Sequence, residues 1–326
     1  MILVTGGTGF VGEALVHELL AKGCQLKALV RKLSVLPVEV EQVVVDLGEK
    51  ESKWSIECVF SGVDVVVHAA ARVHKMKDRS VNPLAEFRKL NRDATLTLAT
   101  LAADAGVKRF VFLSSIKVNG EETFPQRQPC TFKPDDAFIP TDPYGLSKYE
   151  AEQGLLTLAK ETGMEVVIIR PPLVYGPGVK ANFASMINWL RKGLPLPLGA
   201  IHNKRSFVAL ANLVSFIALC ADRSQAPKAA NQVLLISDGE DVSTTQLLRR
   251  VADALGKKPR LLPVPVGLMR FAARLIGKGD VANRLFGSLQ VDSSKARDLL
   301  GWQPVITMAE QLRKTVAADL KNETAL

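Results

Sequence analysis

Val4-Thr5-Gly6-Gly7-Thr8-Gly9-Phe10-Val11-Gly12 decides how the rest of this chain is read. It overlaps the apolar run Met1-Ile2-Leu3-Val4, and it is followed by Ala14, Leu15, Glu18 and Leu19 at helical intervals. A strand, a glycine turn and a helix start form a cradle for a dinucleotide pyrophosphate. Gly6 permits the tight turn, Gly9 lets backbone approach the phosphates, and Gly12 lets helix and strand pack closely. Thr8, Phe10 and Val11 complete the loop expected to line the cofactor. The helix N-terminus adds free N–H groups and a positive dipole end. Glycine triplets also occur in ordinary turns. The strand before, the helix after and a second apolar run at 26–30, about 20 residues on, favour the cradle over a structural turn.

Apolar runs recur at 2–5, 26–30, 41–45, 63–69, 109–114 and 166–170, with helical patterns between them such as 13–22 and 91–105. That alternation predicts parallel strands joined by helical crossovers, an α/β fold with a Rossmann-like doubly wound sheet. The runs are Val/Ile-rich without strict polar alternation, as expected of strands covered on both faces. After Arg170 the texture changes. Pro171-Pro172, Gly176-Pro177-Gly178 and Leu194-Pro195-Leu196-Pro197 mark loops, and helices are expected near 244–255, 266–276 and 308–320. The expected division is a dinucleotide-binding domain over 1–170 and a smaller substrate-binding region over 171–326, with 207–221 returning to the sheet.

A chain of 326 residues can bury a sizeable core, and 47% hydrophobic with 23% charged residues excludes a disordered class. No apolar run reaches the ~18 residues of a membrane span. The N-terminal strand has no basic stretch before it, so no signal peptide is expected. Cys24, Cys58, Cys130 and Cys220 are scattered without metal-type pairing. Reduced thiols, no metal and a cytoplasmic location follow as expectations. A net charge of +9 would suit nucleic acid or a membrane surface. The bases are dispersed, however, in short clusters such as Arg31-Lys32 and Lys257-Lys258. A solvated basic surface with an anionic small-molecule site is favoured, and no nucleic-acid partner is expected.

Tyr144-Gly145-Leu146-Ser147-Lys148 places a phenol and an ammonium on one helix face. A nearby ammonium favours phenolate, which suits proton exchange near neutral pH. Asp142-Pro143 supplies the helix start. Such pairs also arise by chance on exposed helices. Ser114-Ser115 ends the apolar run Phe110-Val111-Phe112-Leu113, where open α/β sheets bind ligands. Alone it would read as strand-end capping. Beside the cradle and Tyr144, it completes a Ser–Tyr–Lys site for exchange between alcohol and carbonyl.

With these residues the chain resembles the extended short-chain dehydrogenase/reductases, in their nucleotide-sugar epimerase and reductase branch. The resemblance covers essentially the whole length. It rests on the glycine start, Asp46-Leu47, His68-Ala69-Ala70-Ala71, Asn91, Ser114-Ser115, Tyr144 with Lys148, and Arg170-Pro171-Pro172-Leu173-Val174-Tyr175-Gly176-Pro177-Gly178. It implies Tyr144 as acid/base, Ser115 as its partner and Lys148 as a ligand of the nicotinamide ribose. It further implies Asp46 and Leu47 at the adenine, Ala69, Ala70 and Ala71 along the cofactor, and Ser114 and Pro171 beside it. Asn91 would be a structural or water-holding group. Asn182-Phe183 and Arg205-Ser206-Phe207-Val208 resemble elements that hold a sugar-nucleotide diphosphate, and Leu198 would lie beside the pyrimidine. The stretch from Asp292 to Arg297, with Leu299-Leu300-Gly301-Trp302, resembles the family's C-terminal signature. A homodimer is the family expectation.

Three departures stand out. Leu173 lies where many relatives have Asn, Asn119-Gly120 replaces a usual Tyr-Gly, and Lys117 puts a base close to the site, counted among the substrate contacts. The strand at 26–30 ends without the carboxylate that holds an NAD ribose. Arg31 and Lys32 there would suit a 2′-phosphate, so NADP is expected over NAD, with NAD possible. The expected function is reduction at C4 of a UDP-sugar, a 4-ketoreductase of a UDP-2-acetamido-2,6-dideoxyhexulose type substrate for surface polysaccharide, including O-antigen. The alternatives are a UDP-glucose or UDP-N-acetylglucosamine 4-epimerase, a reductase of a non-nucleotide small molecule such as a steroid, and a non-catalytic dinucleotide sensor.

Overall fold

A computed structural model of the chain describes residues 1–49, 56–73, 82–123, 131–136, 138–275, 277 and 279–324, less the side chains of 181, 182, 280, 281 and 321–324. Cys130 lies outside the described residues. In chain order the elements are β1 (Ile2–Thr5), α1 (Phe10–Ala21), β2 (Leu26–Val30), β3 (Val40–Val44), α2 (Ile56–Phe60), β4 (Val65–His68), α3 (Pro83–Arg88), α4 (Ala94–Asp104), β5 (Arg109–Leu113), α5 (Pro143–Thr162) and β6 (Glu165–Arg170). There follow β7 (Leu173–Tyr175), α6 (Ala181–Arg191), β8 (Arg205–Ala209), α7 (Leu210–Ala221), β9 (Gln232–Leu235), β10 (Asp241–Val242), α8 (Thr244–Ala254), α9 (Val266–Leu275), α10 (Gly279–Phe286), α11 (Ser294–Leu300) and α12 (Met308–Thr324).

Seven strands form one parallel sheet in the order β3-β2-β1-β4-β5-β6-β9. Side chains alternate across it with a period of two. Val4, Val67, Val111, Val167 and Ile169 face a layer that includes α1 and α7. Leu3, Val66, Phe110, Phe112, Val166 and Ile168 face Val59, Leu98, Ala99 and Leu155 on the other side. Both layers are apolar, which is why these strands read as continuous apolar runs. The strand order reverses between β1 and β4, so a crevice opens beyond their carboxyl ends. A second, three-stranded sheet, β10-β8-β7, sits against α6, α8 and α12 around Tyr175, Phe183, Phe207, Leu248, Val251 and Leu312.

Most boundaries shift by one to three residues from the sequence expectation, and two of the shifts have a visible local setting. The strand expected from 63 starts at Val65: Val63 still closes the turn after α2, donating from N to Phe60 O at 3.0 Å, and the Asp64 side chain accepts from the N-terminal ammonium at 2.8 Å. The helix expected from 91 is preceded by α3, which Asn82 caps by accepting from Ala85 N at 3.1 Å and Pro83 opens. One π-helical turn, Lys89–Asp93, joins α3 to α4 and carries Asn91.

Candidate active site

The cradle forms as its spacing demands. Gly6 adopts φ 73° in the turn after β1. A Cβ on Gly12 would stand 2.0 Å from Gly6 O, and one on Gly6 would stand 2.7 Å from Ala70 N. The first turn of α1 is therefore pressed onto the glycine loop, and the loop onto the segment after β4. Thr8 and Gly9 are exposed, and Phe10 and Val11 are half-buried behind them. Gly9 caps α1 with no side chain over the first-turn N–H groups. A backbone this close and an open helix N-terminus fit a dinucleotide pyrophosphate. Gly178, at φ 81° in the loop after β7, lies 4.0 Å from the Phe10 ring as measured to a Cβ built on it.

The segment after β4 is fixed by a directional hydrogen-bond chain. Ala70 N donates to Thr5 Oγ1 at 3.2 Å, and Thr5 Oγ1 bonds His68 Nδ1 at 2.7 Å. His68 Nε2 bonds Thr95 Oγ1 at 2.9 Å, and Thr95 donates to Asn91 O at 2.9 Å. With Thr95 donating onward, the network assigns the proton of His68 to Nε2. Burial, aided by the Lys148 charge, pushes the His68 pKa down to about 3, so the ring is a neutral bridge. Asn91 then clamps the next residue, accepting from Arg72 N at 2.8 Å and donating to Arg72 O at 3.1 Å and to Ser147 Oγ at 3.1 Å. It thereby ties the Ala69, Ala70 and Ala71 loop to α5 beside Lys148.

Ser115, Tyr144 and Lys148 are brought together at the carboxyl end of β5. Ser115 opens a short 3₁₀ turn and accepts from Lys117 N at 3.3 Å, and its side chain hydrogen-bonds the Tyr144 phenol. Asp142 caps α5 by accepting from Gly145 N at 3.2 Å. Burial pushes Tyr144 up to about 12, the Asp142 charge adds to this, and the Ser115 bond opposes it. The lowering expected from Lys148 is not what governs the phenol here. Lys148 Nζ instead donates to Leu113 O at 2.9 Å and lies 4.3 Å over the Phe112 ring. Burial pulls Lys148 down to about 7, against the Glu152 charge.

Glu152 went unnoticed in the sequence. It continues the helix face of Tyr144 and Lys148 by one more turn and is fully buried. Arg170, at the end of β6, donates to it from Nε at 3.0 and 3.1 Å and from Nη2 at 2.5 Å. Ser114 Oγ donates to the same carboxylate. Arg170 Nη1 also donates to Asn119 Oδ1 at 3.0 Å, and Asn119 Nδ2 to Lys133 O at 2.6 Å. The departure at 119 is thus an amide that completes a buried ion pair. The signal was an arginine ending an apolar strand, with a glutamate four residues after the candidate lysine.

Arg31 and Lys32 are exposed where β2 ends. Asp46 accepts from Gly48 N at 2.8 Å, and Leu47 packs against the core beside β2. Pro171 is buried and accepts from Ile116 N at 2.9 Å. The expected substrate contacts are less gathered. Lys117 bonds Glu121 at 2.8 Å and Asp142 at 3.2 Å, so its ammonium is already paired. Arg205 Nη1 donates to Arg284 O at 2.7 Å and Gly287 O at 3.1 Å, while Nε and Nη2 have no hydrogen-bond partner among the described residues, and the Glu122 charge lies close enough to act on the guanidinium. Leu198 packs against the core of the second sheet. Asn182 falls in α6, its side chain outside the described residues. The described residues hold no group of His, Cys, Asp or Glu suited to a metal ion.

The family described as "NAD dependent epimerase/dehydratase family" matches residues 2–234. A UDP-glucose 4-epimerase of Vibrio cholerae is 48% identical over 322 residues, covering 98% of this chain and 95% of its own. A 3-beta-hydroxysteroid dehydrogenase of Mycolicibacterium neoaurum is 28% identical over 345 residues, covering 95% and 89%. Among solved structures, the Bordetella bronchiseptica enzyme WbmG in complex with NAD and UDP superposes with a TM-score of 0.75 at 21% identity, covering 98% of this chain and 95% of that one.

Proposed function

The chain belongs to the NAD dependent epimerase/dehydratase family, and on that premise we propose that it is a nucleotide-sugar 4-epimerase acting on a UDP-hexose. The observation that carries this reading is the likeness to the Vibrio cholerae epimerase along nearly the full length of both chains. It favours the epimerase over the 4-ketoreductase that the sequence resemblance put first. The bound nicotinamide supplies the hydride acceptor and donor. As the phenolate, which the positive charge of a bound oxidised nicotinamide would favour over the neutral phenol, Tyr144 would take the C4 hydroxyl proton and return it once the ketosugar presents its other face. Ser115 hydrogen-bonds the reacting oxygen, and Lys148 holds the ribose on the same helix face. The free edge of the Arg205 guanidinium meets the diphosphate.

A proton NMR time course of the anomeric region tests this with UDP-glucose and UDP-N-acetylglucosamine. The C4 epimer should accumulate to an equilibrium mixture without added reduced cofactor. One observation favours a second reading. Arg31 and Lys32 stand exposed at the end of β2, with no carboxylate among the residues that end it, an arrangement suited to NADP(H). A 4-ketoreductase would then leave the UDP-hexoses unchanged and reduce a UDP-4-ketosugar only when NADPH is added.

A further inference from the structure

The chain's positive charge is not evenly spread. Residues 257–286 hold seven Lys and Arg against Asp280 alone, a net +6 in a chain of net +9. Lys258, Arg260, Arg274 and Arg284 are exposed. None of these four pairs with an acidic side chain among the described residues. Within this stretch α9 has no buried residue. Its outward face is apolar: Leu268, Phe271 and Leu275 are 59%, 61% and 72% exposed. At 100° per residue these three fall within roughly 60° of one another, at the middle of the solvent side. The inward side carries Val266, Met269, Arg270 and Ala273, all only half-buried. Leu262, just before the helix, is 51% exposed as well. A surface helix in a globular protein normally turns its large apolar side chains inward. Here the orientation is reversed, and bases flank the stripe.

We propose that α9 and its basic flanks form a docking surface for an anionic lipid bilayer. The chemistry is complementary on both counts. Leu268, Phe271 and Leu275 enter the boundary between headgroups and acyl chains, while Arg274, Lys258 and Arg260 meet lipid phosphates. No described helix is long and apolar enough to cross a membrane, so the contact lies on the surface. The segment leading into the helix is tied to the loop after α6, whose Leu196 and Leu198 pack in the core of the second sheet: Leu196 N donates to Arg260 O and Gly199 N to Leu262 O, both at 2.9 Å. Docking would therefore hold that lobe at the bilayer.

Co-sedimentation of the full chain tests this. One set of vesicles mixes phosphatidylglycerol with phosphatidylcholine, and the other is phosphatidylcholine alone. The protein should pellet with the anionic vesicles, less so as salt rises, and remain in solution with the neutral ones. Arg274→Gln and Arg260→Gln should each weaken binding about fivefold, and together about twenty-five-fold. The triple variant Leu268→Ser, Phe271→Ser, Leu275→Ser should abolish pelleting with an unchanged thermal midpoint, since its side chains are exposed. No pelleting with anionic vesicles overturns the proposal, as does equal pelleting of parent and triple variant. So does a concentration-dependent doubling of mass by light scattering that the triple variant removes, because the stripe would then be covered by a second copy of the chain.

Discussion

Lys148 Nζ donates to the carbonyl of Leu113 at 2.9 Å and lies 4.3 Å over the Phe112 ring, one helical turn on from Tyr144. The lysine is thus anchored to the strand that carries Ser114 and Ser115, and it fixes α5 against β5. Its ammonium is desolvated, which draws its pKa to about 7 from the ordinary 10.5. Between those values the unfolded chain holds a proton that the folded chain has released, so this group's contribution to stability rises with pH. The thermal midpoint of the ligand-free protein, followed from pH 7 to 10, should show that rising component in the parent and lose it in Lys148→Met. Tyr144, pushed up to about 12, acts only above pH 10 and in the opposite direction. Parallel curves for parent and variant would show that Lys148 stays charged in the fold.

Tyr144→Phe removes the transferable proton and keeps the ring that packs edge-on to Phe87. Turnover should fall on the order of 10²–10⁴ while cofactor affinity, read by fluorescence titration, stays near that of the parent. Near-normal turnover would take Tyr144 out of the chemistry.

Arg170 and Glu152 form a buried pair, with side chains 7% and 0% exposed. Arg170→Met leaves the carboxylate uncompensated and should cost about 3–5 kcal/mol in urea unfolding. A loss under 1 kcal/mol, about that of a surface pair, would mean that solvent reaches Glu152.

Arg31→Asp should shift cofactor preference toward NAD(H), since a carboxylate at the end of β2 accepts from a ribose 2′-hydroxyl and repels a 2′-phosphate. Binding of both cofactors to parent and variant checks it. An unchanged ratio would make Arg31 a solvated surface charge.

Arg205→Ala should raise the KM for a UDP-sugar about tenfold to a hundredfold, with Arg205→Lys recovering only part because an ammonium lacks the fork. Its Nη1 bonds to the carbonyls of Arg284 and Gly287 also support α10, so the thermal midpoint must be compared alongside. A KM within twofold of the parent would remove Arg205 from the diphosphate site.

The sheet was legible because strands covered on both faces leave continuous apolar runs, and Gly6 and Gly12 announce contacts that tolerate no Cβ. The Ser115, Tyr144 and Lys148 grouping was legible because helix period and strand end are both local signals. The Glu152–Arg170–Asn119 network was not, since it joins three segments whose approach only the fold decides. The pairing of Lys117 with Glu121 and Asp142 escaped for the same reason. The π-turn at Lys89–Asp93 leaves no pattern in residue types, and the outward apolar face of α9 looks in sequence like any inward one.

Reversible oxidation and re-reduction at C4 is tested most directly with a UDP-hexose deuterated at C4 and no added cofactor. A C4 epimer that keeps its deuterium at C4 should form, at an equilibrium ratio reached from either epimer, with no net consumption of reduced cofactor. No epimer from either hexose, together with stoichiometric NADPH consumption on a UDP-4-ketosugar, would contradict it.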